Sequence, residues 1–165
     1  MDTKRPLGFR LIIGFGIFMI AFMLLGQTMS FIDYDFTVSL GLQEHGDIVT
    51  AIGVAMNKGF GLADTIVYIP LVALGIAGLF MRRQWGVFAM MGAMGITAYW
   101  PIVCLSFIYF AKGAPGFAFT RYGAYTVLLS TISLIGIWGM WYLYSRRNCL
   151  VAQRRAGDAS AEIDE

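Results

Sequence analysis

The chain has 165 residues, of which 58% are hydrophobic and 13% charged, with a mean hydropathy of +0.69. A soluble domain carries about 25% charged residues, so a separate soluble catalytic domain is excluded, and four crossings plus loops leave room for one domain only. The net charge is +2, and two cysteines, Cys104 and Cys149, with one histidine, His45, exclude a CxxC redox pair and a bis-histidine haem site within one chain.

The first element follows the basic residues Lys4, Arg5 and Arg10 and is the charge-free run 11–32. Gly26-Gln27-Thr28-Met29-Ser30 has no A-x-A-like cleavage site, so the run reads as a retained helix and not as a signal peptide. Further charge-free runs cover 65–81, 84–111 and 122–144. Each is long enough to cross about 30 Å of hydrocarbon as a helix, the second by including residues just before Thr65. A lipid-facing backbone must satisfy its own polar groups, and the ten-residue alternation of a membrane barrel is missing. The expectation is an all-α integral membrane protein, a four-helix transmembrane bundle over 1–144 with spans at about 8–30, 62–81, 86–111 and 122–144.

Between the first two spans lies a long outer loop, about 31–62. Phe31-Ile32-Asp33-Tyr34-Asp35-Phe36 alternates rings and acids, as expected of an aromatic belt at headgroup level. Ile48, Ala51, Ile52 and Ala55 recur at helical spacing and predict a short surface helix, a lid over the bundle or a segment resting on lipid. Asn57-Lys58-Gly59-Phe60-Gly61 lacks the order of a phosphate loop and reads as a turn before span two. Glu44, His45 and Asp47 lack a second anchoring histidine or cysteine, so no metal is expected.

The basic residues set the orientation. Lys4, Arg5 and Arg10, then Arg82 and Arg83, then Arg146, Arg147, Arg154 and Arg155 fall on one side, against Lys58, Lys112 and Arg121 on the other. The positive-inside rule therefore places both termini in the cytoplasm, in a plasma membrane or bacterial inner membrane. The loop at 112–121 turns at Pro115-Gly116, and the tail, 145–165, is expected to be cytoplasmic and disordered.

Pro70 lies about 9 Å inside Asp64, and Pro101 about 15 Å short of Ala111, so both kinks are expected in the outer half of the membrane. They free the carbonyls of Ile66 and Thr97, which either neighbouring helices heal or a polar cavity uses. Asp64 reads as the cap of span two or as a proton or cation carrier, and Arg121 as its partner across the mouth or as a headgroup contact. The hydroxyl stripe Thr126, Ser130, Ser133 and the stripe Ala89, Ala93, Thr97 read as helix packing.

The expected function is that of a non-enzymatic membrane protein binding or passing a small amphipathic molecule at an outward-facing pocket lined by Asp64, Tyr68, Tyr99, Trp100 and Arg121. The alternative is an accessory subunit packed against a membrane protein partner or a second copy; a lipid-headgroup enzyme ranks last, because no catalytic set can be assembled. No cofactor and no nucleic acid is expected.

Overall fold

The computed structural model describes the backbone of residues 5–161 and the side chains of residues 5–150. Lys4, from the first basic cluster, and the last part of the expected tail, 162–165, lie outside the described residues.

The first long helix, Leu7–Ile32, joins α1 (Leu7–Met23), a π-helical turn (Leu24–Thr28) and α2 (Met29–Ile32). The short α3 (Tyr34–Ser39) follows, started by the Asp33 carboxylate, which accepts the Phe36 N–H at 3.0 Å. The second long helix, Gly46–Phe80, joins α4 (Gly46–Ala63), another π-helical turn (Asp64–Tyr68) and α5 (Ile69–Phe80). After a tight turn come α6 (Gln84–Ala111) and α7 (Tyr122–Ala161). Four of these helices are long and apolar enough to cross a membrane, and no strand occurs among the described residues. The chain is a multi-pass membrane protein.

The segment expected as a long loop is largely helical. α4 is no separate surface helix but runs directly into the second span. No proline interrupts residues 51–63, and Gly59 and Gly61 stay helical instead of forming a turn. Gly61 lies against the carbonyl of Gln27 on the first helix so closely that any Cβ there would overlap it. Glycine is needed for that approach, and the approach holds the chain helical. One residue inside α4 departs from helix: Thr50, at φ 65° and ψ 166°, a region that only glycine occupies freely. The break leaves the Ile48 carbonyl free to accept the Ala118 N–H at 2.9 Å, which docks the 112–121 loop onto the start of α4.

The tail differs too. α7 continues to Ala161, where residues 145–165 were expected to lack structure. Arg146, Arg147, Ala152, Gln153, Arg154, Arg155 and Ala156 are strong helix formers, and no glycine or proline interrupts them.

α6 packs against both α5 and α7, and α1 packs against α5. The core of Ile12, Met19, Met23, Val72, Met90, Met94 and Leu143 packs between these helices and extends to the end that holds the N-terminal segment. There the Tyr142 ring covers Gly8, and Arg5 sits 4.7 Å from the Phe9 ring centroid and 4.8 Å from that of Phe80. The N-terminal segment, the 80–84 turn and the apolar end of α7 thus share one end of the molecule. The 33–45 and 112–121 segments share the other, the loop end, where α1 and α7 are not closely packed.

Candidate functional site

At the loop end the helices enclose a cavity of about 300 Å³. Its apolar wall comes from Phe22 on α1, Phe60 on α4, Trp100 and Phe107 on α6, and Phe117 and Phe119 of the docked loop. Phe119 is itself fixed edge-on against Tyr122 and Tyr125, at centroid distances of 5.2 and 4.9 Å. Such a size and an aromatic lining fit a small-molecule site.

The polar part is a connected set. Asn57 donates to the Gln43 side-chain oxygen at 2.9 Å and to the Tyr34 hydroxyl at 3.2 Å; Gln43 donates to the Gly26 carbonyl at 3.3 Å. Tyr34 donates to the Glu44 carbonyl at 2.9 Å, which folds the 40–45 turn back over the cavity. The Glu44 carboxylate, only 14% exposed, accepts from the Tyr125 hydroxyl at 3.3 Å and faces the Arg121 guanidinium at 3.9 Å. Burial pushes the Tyr34 phenol above its ordinary range, the Asn57 hydrogen bond acts against this, and the Glu44 charge adds to it.

Two π-helical turns stand side by side below this set. The Thr28 and Thr65 hydroxyls share a hydrogen bond of 2.7 Å between them, and Thr65 also donates to the Gly61 carbonyl at 2.7 Å. Pro70 explains the second turn, since it has no N–H for the Ile66 carbonyl and the chain widens just ahead of it. The first turn contains no proline and presents Gln27, which is 8% exposed and lines the cavity. The second presents Asp64 and Tyr68 to a small chamber of about 10 Å³, which Thr97 and Trp100 also line. That is room for about one water molecule. Trp100 lines both spaces.

Of the five residues expected at the site, Trp100 and Arg121 line the large cavity, and Asp64, Tyr68 and Trp100 line the small chamber. Tyr99 lies on the outer face of α6, 67% exposed, away from both. Asp64 neither caps a helix nor meets Arg121. The helix extends back to Gly46, so Asp64 stands about 24 Å from Phe80 and about 27 Å from Gly46, mid-helix, where no N–H group is free. Arg121 faces Glu44 instead. Tyr68 and Thr97 are drawn into a buried hydroxyl pair of 2.8 Å, with Thr97 bonded back to the Ala93 carbonyl, and neither serves the carbonyl freed by Pro101.

Gln27, Gln43 and Tyr125 are functional candidates that sequence reasoning passed over, and Glu44 and Asn57 were weighed there only as part of a metal cluster and of a turn. Gln27 carried a signal, being the one amide in the charge-free run 11–32. His45 stays outside the cavity, where its Nδ1 accepts the Asp47 N–H at 3.3 Å and starts α4. Among the described residues no group of three metal-ligating side chains comes together.

Gln27 and Trp100, which line the cavity, each carry a buried polar atom without a hydrogen-bond partner among the described residues: the Gln27 side-chain oxygen and the Trp100 indole N–H. Each such group costs about 1–3 kcal/mol, a cost that a ligand offering the complementary group recovers. Comparison with protein-family models, with curated proteins and with solved structures gave no match.

Proposed function

We propose that this protein binds a small amphipathic molecule in the loop-end cavity and either passes it on or senses it. The observation that carries the reading is the cavity itself, with rings along its body and the amide and carboxylate groups of Gln27, Gln43, Asn57 and Glu44 at one side. A ligand with an apolar body and a hydrogen-bonding group satisfies both surfaces.

Arg5, Arg82 and Arg83 share the end opposite the cavity, which supports cytoplasmic termini and a pocket opening toward the outer face of a plasma or bacterial inner membrane. Because α1 and α7 are not closely packed beside the cavity, a ligand could also arrive from the lipid phase.

Native mass spectrometry of the protein released from mild detergent tests the reading. An adduct of fixed mass is expected on the wild type and not on Ile132→Trp, which fills the cavity from α7. A bare wild-type mass, or an adduct that the filled variant keeps, overturns it.

A further inference from the structure

The chemistry of the cavity wall narrows the ligand class, on the condition that the pocket reading above holds. Both charged groups at the cavity are already engaged: Glu44 takes the Tyr125 hydroxyl and faces Arg121, whose side chain is largely exposed at the rim. The groups left without partners are uncharged. Gln27 is more than nine-tenths buried, and its side-chain oxygen meets no donor; the Trp100 indole N–H meets no acceptor. They come from different helices, α6 and the π-helical turn after α1, and both line the same cavity.

An ionised head would have to compete for Arg121 or Glu44, which already face each other, and would leave both inner groups unanswered. It would also carry its charge into a wall of Phe22, Phe60 and Phe107, where desolvation opposes it. A hydroxyl or carbonyl meets the inner groups without that cost. A carbonyl oxygen accepts from the Trp100 N–H, and a hydroxyl can also donate to the Gln27 oxygen. We infer that the ligand is an uncharged amphiphile whose hydroxyl or carbonyl group is held inside the cavity by Gln27 and Trp100, with its apolar body against the surrounding rings.

Cys104 lines the same cavity and supplies the readout. In full-length Cys149→Ser protein in mild detergent, alkylation of Cys104 by N-ethylmaleimide is followed by intact mass at neutral pH. Three probes share one ring system: 2-naphthol, 2-naphthoate and 2-naphthylmethylammonium. The expected result is that 2-naphthol protects Cys104 at about tenfold lower concentration than either ion. Gln27→Leu and Trp100→Phe should each weaken that protection about fivefold to tenfold, the loss of one hydrogen bond. Trp100→Phe keeps a ring in place, so it remains informative if Gln27→Leu fails to fold.

Stronger protection by either ion overturns the inference and leaves the pocket reading standing. Undiminished naphthol protection in both folded variants overturns it as well. No protection by any of the three removes the pocket reading and the inference together.

Discussion

Thr28 and Thr65 share a hydroxyl hydrogen bond of 2.7 Å that joins the two π-helical turns across the interface of the first two long helices. Beside it, Gly61 touches the Gln27 carbonyl, so the turn that carries Gln27 is fixed from two sides. Thr65→Val keeps the shape of the side chain and removes the bond. The expected cost is about 0.5–1.5 kcal/mol, within the range measured for such bonds in water and in membranes. Thr28→Val removes only the shared bond and should cost no more than Thr65→Val, which also loses the bond to the Gly61 carbonyl, and the double variant should cost less than the sum. Chemical denaturation in mixed micelles measures all three; additive losses would show that the hydroxyls act separately.

Asp64 stands mid-helix, 7% exposed, and among the described residues no hydrogen-bond donor or cation meets its carboxylate. An unpaired buried carboxylate is expensive, and an amide of the same shape carries no charge. Asp64→Asn is therefore expected to melt at or above the wild-type temperature. Because Asp64 lines the small chamber and not the large cavity, probe protection of Cys104 should stay within about twofold, well below the change that loss of a hydrogen bond produces. A large loss of protection would assign Asp64 to the ligand after all.

The four crossings are legible in the sequence because the bilayer demands long charge-free runs, and those runs cannot be hidden. The site is legible only in part. Trp100 precedes Pro101 and Arg121 begins the last span, so sequence position alone marks both. Gln27 is different: which way a lone amide faces depends on helical register, and the π-helical turn at Leu24–Thr28 resets that register without a proline to announce it. Glu44 was weighed only for a metal, and its place in the cavity was hidden for another reason. It meets Tyr125 across 81 residues of chain, a pairing no local pattern encodes. The start of the second helix was misread because Gly59 and Gly61 look like a turn until the Gln27 carbonyl lies against Gly61.

Tyr34 links the polar set to alkaline pH. Its phenol ionises above the ordinary value of 10.0 in the folded protein, chiefly through burial. The unfolded chain therefore gives up this proton first as pH rises, and folding loses the Tyr34 contribution through and above pH 10. Below that pH the contribution is fully present. Tyr34→Phe should be less stable at neutral pH, since the hydroxyl bonds to Glu44 and Asn57 are gone, yet its stability should fall less steeply above pH 10. Melting curves of both proteins between pH 8 and 11 compare the slopes. Equal slopes would mean that Tyr34 ionises no later in the folded state.

Thr50 offers a test of how the loop end is held. At φ 65° and ψ 166° a β-branched residue costs about 1–3 kcal/mol relative to relaxed backbone, and glycine adopts that conformation without the steric penalty. The strain persists because Ile48 accepts the Ala118 N–H and the Thr50 methyl packs close to Gly116, which clamps the 112–121 loop over Phe117 and Phe119 in the cavity wall. Thr50→Gly relieves the strain and keeps the Ile48 to Ala118 bond, so it should raise stability by about 1 kcal/mol. Thr50→Pro cannot take positive φ and should release the loop instead. Cys104 alkylation would then be faster in Thr50→Pro and unchanged in Thr50→Gly. Equal alkylation rates in the two variants would show that the break at Thr50 does not hold the loop on the cavity.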